Sequence, residues 1–339
     1  MATPGTDEWR ASVSEEIIEP DQPIIDSHHH LWKTHPKWGT YELEDLWADT
    51  GSGHDIEKTV FMDCHSSYLE DGPEHLKPIG ETQYVVSVAE ESVKQEDRAT
   101  ISAIVSRADL LLGERAEEVL LAHEEAGKGL FRGIRHAGAH DTTGTLFNPG
   151  SPRPCPYSAE IFRTGVRTLG RLGYIYDTWH FFHQNQEFLA LAKAVPDTTM
   201  ILDHFGTPLG VGAYAGKQDE IYEQWKKDIR TIAECPNVYA KLGGLAMPDN
   251  GFGWDRRDTP PTSDEFVEAQ KKYYLHTIEC FGPSRCMFES NFPLDRLSIS
   301  YQVLWNGMKK MVADFTDEEK HAMFYGTAER IYRLFSEWP

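Results

Sequence analysis

The sequence predicts a single α/β domain folded as a (β/α)8 TIM-like barrel over residues 23–339, preceded by an N-terminal arm over residues 1–22. Short apolar segments alternate eight times with longer amphipathic segments, as strands and helices do in such a barrel. An open, doubly wound sheet would be expected to carry a glycine-rich phosphate loop after an early strand, and the sequence has none. No internal repeat or linker divides the 339 residues, so one domain is expected.

The predicted strands are rich in Val, Ile, Phe or Tyr, and each is followed by a loop and then by helix-like sequence. Thr262 with Glu265, and Thr316 with Glu319, have the spacing of capping boxes and predict the starts of two late helices. The segment before residue 23 is polar and acidic without an apolar core, so we expect an arm rather than a secretory signal. In chain order, the predicted strands cover residues 23–28, 58–63, 101–106, 131–135, 173–177, 199–203, 237–242 and 285–289.

The formal net charge of −21 argues against nucleic acid or an anionic membrane as a partner, because phosphate binding needs clustered cations. A small acidic substrate is still compatible, since a few local arginines can outweigh a distant surface field. No apolar run approaches the roughly 20 residues of a membrane span. The five cysteines are scattered and form no CxxC pair, which is typical of a reduced, cytoplasmic protein. Whether the chain forms a homo-oligomer stays open.

The first predicted strand ends in three consecutive histidines, within the sequence IDSHHHLW. Because alternate side chains of a strand point the same way, we expect His28 and His30 to face the barrel interior and His29 to face away. Two converging imidazoles at the C-terminal end of a strand suit a divalent metal or an anionic transition state. A chance run of surface histidines is the alternative interpretation.

Similar motifs end other predicted strands: FRGIRH at the fourth, LDHFG with His204 at the sixth, NVYAKLGG at the seventh and MFESNFPLD at the eighth. With IDSHHHLW, they make the chain resemble the amidohydrolase superfamily, in the branch of 2-pyrone-4,6-dicarboxylate lactonase and fuconolactonase-like enzymes. The motifs run from about residue 23 to 335, so the resemblance covers nearly the whole chain. The set is specific to the branch, although no single motif identifies a substrate.

The resemblance implies a distorted barrel with its active site at the C-terminal ends of the strands. It also implies hydrolysis of a lactone or a similar ester. In lactonases of this branch the HxH pair and the strand-six histidine line the site, and they match His28, His30 and His204. These three residues are the candidate ligands of one divalent ion, zinc or manganese, and a metal-free site is the alternative.

One position departs from the pattern of the branch. A strand-eight aspartate, in the pattern SDxP, usually serves there as general base or metal ligand, and this chain has Asn291 instead. An amide cannot accept a proton at neutral pH and is a weak metal ligand beside a carboxylate. Asp295 and Asp63 are the candidates to replace it, with Asp295 slightly favoured, and each also has a purely structural interpretation. Glu289 shares strand parity with Asn291 but lies deeper.

Basic residues near two strand ends are candidates to bind a substrate carboxylate. Arg132 and Arg135 are three residues apart and point to opposite faces of a strand, so only one can aim inward. Arg135 is the candidate for a bidentate clamp, and the alternative is an arginine that ties strands or loops together. Lys241 either neutralises substrate charge or extends along the barrel rim.

Histidines and aromatic residues after two strands complete the candidate site. After strand five, His180 or His183 could complete a metal site or contact the substrate, and Trp179 could line an apolar pocket. After strand one, Trp32 and Trp38 are candidates for a lid. Aromatic residues in a long loop more often only pack that loop against the body.

Three classes of function fit these residues. In a hydrolase, a water held by the three histidines, or by a metal they bind, attacks a carbonyl carbon, and Asp295 or Asp63 takes the proton. The second class is a metal-dependent decarboxylase or hydratase on the same barrel. The third is a catalytically inactive barrel that acts as a binding subunit. Three histidines at well-placed strand ends favour the hydrolase, while Asn291 is the observation in favour of the other two.

Overall fold

Eight parallel strands form a nearly closed barrel with helices around it, which confirms the predicted fold class. The structure is a computed structural model and describes residues 2–35 and 39–335. The strands are β1 (Pro23–His29), β2 (Trp32–His35), β3 (Gly39–Tyr41), β4 (Asp55–Met62), β5 (Thr100–Ser106), β6 (Phe131–Arg135), β7 (Ile175–Thr178), β8 (Met200–Leu202), β9 (Val238–Leu242) and β10 (Cys286–Phe288). The barrel order is β1-β4-β5-β6-β7-β8-β9-β10, and β2 pairs with β3 as an antiparallel hairpin.

Each of the eight predicted strands overlaps one barrel strand, although the ends differ. β4 begins at Asp55, three residues before the predicted start, and β10 is only three residues long. β8 is equally short because the chain turns directly into the short 3-10 helix Asp203–Gly206. The hairpin of β2 and β3 was not predicted. Its strands of four and three residues are too short to show a period of two.

The helices cover the outside of the barrel and the two termini. Both predicted capping boxes are present, with Thr262 Oγ1 accepting from Glu265 N and Thr316 Oγ1 accepting from Glu319 N. Among the described residues, no helix combines the length and apolar composition that crossing a membrane requires. The helices are α1 (Asp7–Arg10), α2 (Leu43–Thr50), α3 (Ile79–Ser92), α4 (Ala116–Gly127), α5 (Glu160–Arg171), α6 (Asn185–Ala194), α7 (Gln218–Ala233), α8 (Ser263–Phe281), α9 (Tyr301–Met311), α10 (Asp317–His321) and α11 (Thr327–Tyr332).

The C-terminal segment covers the N-terminal end of the barrel. Lys58 of β4 donates to the carbonyl of Leu334 (2.8 Å), and Arg132 of β6 donates to the carbonyl of Tyr332. Arg132 is therefore engaged away from the C-terminal face, and Arg135 is the arginine of β6 that points inward. Inside the barrel, next to this C-terminal segment, lies an apolar cluster that includes Ile25, Val60, Met62, Ala103, Val105, Ile175, Ile201 and Met287.

The alternation of β1 is interrupted just before its run of three histidines. Ile25 belongs to the interior apolar cluster, so strict alternation would turn His29 inward. The register of β1 against β4 shifts between Asp26 and His29, which places His28 inside the barrel instead. His29 packs outside it, with its Nε2 3.0 Å from Thr59 Oγ1.

A buried carboxylate closes the barrel between β1 and β10, which are not paired as regular strands in the described sheet. Asp26 Oδ1 accepts from Ser290 N (2.8 Å), and Asp26 Oδ2 accepts from Tyr301 Oη (2.9 Å) of α9. Ser27 Oγ donates to the carbonyl of Phe288 (2.7 Å) across the same gap. These side-chain bonds add to two backbone bonds just past β10, from Asn291 N to the carbonyl of His28 (3.0 Å) and from His30 N to the carbonyl of Phe292 (2.8 Å).

The N-terminal arm packs against the body. Trp9 is fully buried, and its Nε1 donates to the carbonyl of Arg257 (2.9 Å). Lys309 Nζ of α9 donates to the carbonyls of Ile18 (3.0 Å) and Glu19 (2.8 Å). The arm is thus held against the barrel body by these contacts.

We expect Tyr301→Phe to lower the free energy of unfolding by about 1.5–3 kcal/mol, because Oδ2 of the buried Asp26 loses its hydrogen-bond donor. Tyr325→Phe is a matched control, since Tyr325 Oη donates to Glu57 Oε2 at 3.0 Å near the surface. The control should change the free energy by less than about 0.5 kcal/mol. Urea unfolding followed by circular dichroism measures both, and equal losses would contradict the role of Asp26 in closing the barrel.

Candidate active site

A cavity of about 670 Å³ opens at the C-terminal ends of the barrel strands. Barrels of this type carry their active sites on this face. The side chains that end or follow the strands therefore form the candidate site. Those lining the cavity include His30, Trp32, Asp63, His65, Arg107, Arg135, His136, Arg153, Trp179 and His204.

The HxH pair of β1 meets at the base of this site. His28 Nε2 and His30 Nε2 are 3.3 Å apart, and His30 Nδ1 is 2.9 Å from the carbonyl of Met62. That carbonyl can only accept, so Nδ1 of His30 carries the proton and its Nε2 keeps a lone pair. Burial lowers the pKa of both imidazoles well below the ordinary value, so both are neutral at pH 7.

A buried glutamate bridges two of the imidazoles. Glu289 follows β10; its Oε2 lies 2.9 Å from His28 Nδ1 and its Oε1 lies 2.7 Å from His204 Nδ1. His204 has φ of +51°, a left-handed conformation that turns its ring toward the barrel axis directly after β8. Burial lowers the pKa of His204 to about 3. Glu289 therefore orients two neutral imidazoles through their Nδ1 atoms.

The barrel interior holds more negative than positive groups. Lys241 Nζ donates to Asp177 Oδ1 (2.7 Å) and lies 3.4 Å from Asp203 Oδ1. With Asp63 and Glu289, four buried carboxylates thus face two buried permanent cations, Lys241 and Arg135. Burial raises the pKa of Asp203 to about 7 and the pKa of Glu289 to about 8. Full ionisation would leave an excess of two negative charges.

These residues fit a divalent cation. Ligand atoms of His28, His204 and Glu289 all lie within 4.8 Å of one another, and all three residues are buried. Both oxygens of Asp203 are buried without a hydrogen-bond partner among the described residues, although Asp203 Oδ1 lies 3.4 Å from Lys241 Nζ. Two imidazoles and a carboxylate form a ligand set that suits zinc or manganese. A charge of +2 would also balance the excess of carboxylates.

Each nitrogen of the Arg135 guanidinium has a protein partner. Its Nε donates to Asp63 Oδ1 (2.6 Å), its Nη2 donates to the carbonyl of Asp63, and its Nη1 lies 3.2 Å from His28 Nε2. Burial would raise the pKa of Asp63, but the Arg135 guanidinium outweighs it and holds that pKa below its usual range. Neither residue is thus free for the role the sequence suggested, a carboxylate clamp for Arg135 and a proton acceptor for Asp63.

Asn291 and Asp295 lie behind the cavity wall. Both are fully buried, and Asn291 Nδ2 donates to Asp295 Oδ1 (2.8 Å). The other oxygen of Asp295 accepts from Ala246 N (3.0 Å). Asn291 has φ of +55°, which asparagine tolerates better than most residues. The structure does not bring Asp295 to the cavity, because the turn after β10 folds it inward beneath the wall.

Three other predicted contact residues also lie away from the cavity. His180 is fully buried, with Nε2 3.0 Å from Asn185 Oδ1, and His183 is exposed and stacks on the ring of Tyr214. Lys241 is fully buried in the barrel interior and is not a rim residue. Trp32 and Trp179 do line the cavity, whereas Trp38 lies outside the described residues.

The cavity residues that the sequence analysis did not single out include His65, Arg107 and Arg153. His65 and Arg107 lie within three residues of the ends of β4 and β5, a position that could have flagged them. Arg153 lies in the long loop between β6 and α5, whose path no local pattern predicts.

The sequence and the fold both have known relatives. Residues 25–334 match the family model described as amidohydrolase. The uncharacterized protein y4mH of Sinorhizobium fredii is 30% identical over 93% of this chain and 99% of that protein. L-fucono-1,5-lactonase of Burkholderia multivorans is 27% identical over 91% of this chain and 96% of its own length. A crystal structure of an amidohydrolase from Burkholderia multivorans with bound zinc has a TM-score of 0.70 at 21% identity, covering 91% of this chain and 99% of that one.

We expect protein purified without chelator or histidine tag to contain about one divalent metal per chain, measured by plasma mass spectrometry. Glu289→Gln should lower the affinity for this metal about 10- to 100-fold, because the substitution removes a charge while preserving the shape of the side chain. Glu90→Gln, at a surface ion pair with Lys128, is the control and should retain metal. Full occupancy in Glu289→Gln would contradict a role for this carboxylate in metal binding.

Proposed function

Because the chain belongs to the amidohydrolase family, we propose that it hydrolyses a lactone, or a similar ester, of a small molecule that carries a carboxylate. The observation that carries this proposal is one cavity that combines neutral imidazoles at its base with arginines on its wall that pair with no carboxylate of residues 2–35 and 39–335. The 27% identity to L-fucono-1,5-lactonase over nearly the full length supports the lactone as substrate class.

The substrate carboxylate is assigned to Arg107 and Arg153. Neither arginine forms an ion pair with a described carboxylate, and both line the cavity. Arg107 is half-buried, and its recorded hydrogen bond is a long one from Nη1 to the carbonyl of Ala108 (3.4 Å). A guanidinium with unused donors is suited to bind a carboxylate in a bidentate geometry. Arg135 is not assigned this role, because its guanidinium is already bonded to Asp63.

The scissile carbonyl is assigned to the base of the cavity, beside His30 and His204. Both are neutral imidazoles, and hydrogen bonds through their Nδ1 atoms hold their rings in place. Trp32 and Trp179 supply apolar wall that excludes water from the opposite side of the substrate. A divalent ion held by His28, His204 and Glu289 would supply Lewis-acid polarisation and would lower the pKa of a bound water.

Arg135 acts indirectly in this arrangement. Its guanidinium neutralises Asp63 and donates toward His28 Nε2, so it keeps a carboxylate and an imidazole in place. Lys241 and Arg135 are each bonded to a buried carboxylate, so both side chains are held in place before a substrate binds.

A decarboxylase or hydratase on the same barrel is the second candidate. The observation that favours it is Asn291, which leaves the turn after β10 without the aspartate usual in lactonases of this branch. The two reactions differ in their products. Lactone opening consumes water and releases a proton at neutral pH, whereas decarboxylation releases carbon dioxide.

We expect the wild-type protein to open lactones that carry a carboxylate in preference to neutral lactones of equal size, detected as proton release with a pH indicator. Arg107→Gln should lower kcat/KM for the charged lactones about 10- to 100-fold, mainly through KM, because a charged hydrogen bond contributes roughly 1.5–3 kcal/mol. Neutral lactones should be affected less.

Arg167→Gln is the matched control, since Arg167 pairs with Glu160 on the surface of α5. Arg167→Gln should leave kcat/KM and KM unchanged. Carbon dioxide release from a substrate acid, without proton release from any lactone, would favour the decarboxylase. No turnover in the panel, together with tight ligand binding, would favour a binding subunit.

A further inference from the structure

Lactone opening by water needs a proton acceptor beside the cavity, and the described carboxylates do not provide a good one. Asp295 is buried behind the wall and bonded to Asn291. Of the carboxylates that line the cavity, Asp63 is neutralised by Arg135, and Asp109 accepts from the backbone N of Leu111 (3.0 Å) as a helix cap. The acceptor is therefore to be sought among the imidazoles of the wall.

Three of these imidazoles already take part in other interactions. His30 Nδ1 is bonded to the carbonyl of Met62 (2.9 Å), His204 Nδ1 is bonded to Glu289 Oε1 (2.7 Å), and burial lowers the pKa of His136 well below the ordinary value. His136 Nδ1 also accepts from Leu110 N (3.1 Å), so that atom cannot take a proton without losing a hydrogen bond. His65 differs from these three, because 65% of its side chain is exposed.

A carboxylate orients the ring of His65. His65 Nε2 lies 3.3 Å from Asp63 Oδ2, while Asp63 Oδ1 is held by Arg135 Nε at 2.6 Å. An ionised carboxylate can only accept, so this contact favours the tautomer of His65 with the proton on Nε2 and the lone pair on Nδ1. No hydrogen bond to Nδ1 is recorded among residues 2–35 and 39–335. This is the relation of carboxylate to imidazole that makes histidine a base in hydrolases.

The backbone around His65 is held in an unfavourable conformation. His65 has φ of +62° and Ser67 has φ of +55°. Both lie in the left-handed region, which costs of order 1 kcal/mol or more for such residues and recurs at active sites. Buried Glu81 of α3 accepts from the amides on both sides of His65, Cys64 N (3.2 Å) and Ser66 N (2.6 Å).

A glycine lets Glu81 reach the two backbone amides beside His65. Gly80 lies so close to the loop that a Cβ there would come within 2.5 Å of the carbonyl oxygen of Ser67. The start of α3 can therefore approach the loop and deliver Glu81 to its amides. The loop that presents His65 is thus held by contacts that do not involve the metal ligands.

We propose that His65 is the general base that deprotonates the attacking water, an inference that rests on the hydrolysis proposed above. The water proton moves to Nδ1 of His65 while the oxygen bonds to the carbonyl carbon. The ring C–O bond then breaks, and His65 returns the proton to the leaving oxygen, which gives a hydroxy acid. Asp63 is a positioning residue that orients the imidazole and stabilises its cationic form.

The test compares His65→Asn with the wild type in the lactone assay as a function of pH. Asparagine adopts left-handed backbone conformations readily, so the loop is expected to keep its course. We expect kcat to fall about 10²- to 10⁴-fold with KM nearly unchanged, and the acid limb of the pH profile to disappear. Added imidazole should partly rescue His65→Ala. The charged or titratable neighbours of His65 are Asp63, Tyr68, Glu81 and His136.

His75→Gln is the matched control, because His75 Nε2 lies 3.3 Å from Glu118 Oε2 outside the cavity. It should leave kcat and the pH profile unchanged. A wild-type lactonase whose acid limb survives in His65→Asn would overturn the role of His65 and leave the proposed function standing. A wild type that opens no lactone of the panel would overturn both, and unchanged circular dichroism excludes misfolding as the cause in any variant.

Discussion

The site depends on the burial of Glu289 between two imidazoles inside a barrel that already holds three other carboxylates. Burying a charge without a counter-charge is costly, so the buried cations Lys241 and Arg135 pair with these carboxylates. Lys241 is bonded to Asp177 and Arg135 to Asp63, and each lies within 3.9 Å of Asp203. The same excess of negative charge makes the centre receptive to a divalent cation.

Because of this charge balance, the proposed function assigns different roles to the barrel interior and to the loops. Interior carboxylates pair with the interior cations, so the proposed function assigns an anionic substrate to Arg107 and Arg153 on the loops. It also assigns proton transfer to a loop residue, because the turn after β10 carries Asn291 and folds Asp295 beneath the wall. In this proposal interior residues orient and polarise the substrate, while loop residues bind it and move the proton. Loops on a rigid scaffold commonly carry such roles.

Much of the fold was predictable from local pattern. Each of the eight predicted strands overlaps a barrel strand, because a strand buried on both faces is a short apolar run bounded by loop residues. The arrangement of the HxH pair was predicted for a reason that is only partly correct. His28 faces the interior because the register shifts between Asp26 and His29, and strict alternation from Ile25 would have turned it outward. A bulge has no signature in hydrophobic periodicity.

The sequence by itself determined the barrel and the family resemblance. It also placed histidines at the ends of the first and sixth barrel strands, because these features depend on residue types within a few positions of one another. The tertiary structure decided which charges neutralise each other. Arg135 and Asp63 are 72 residues apart, and Glu289 and His204 are 85 apart, yet each pair is in direct contact. Contacts over such separations arise only when the barrel closes, so only the folded chain shows which cations stay free for a substrate.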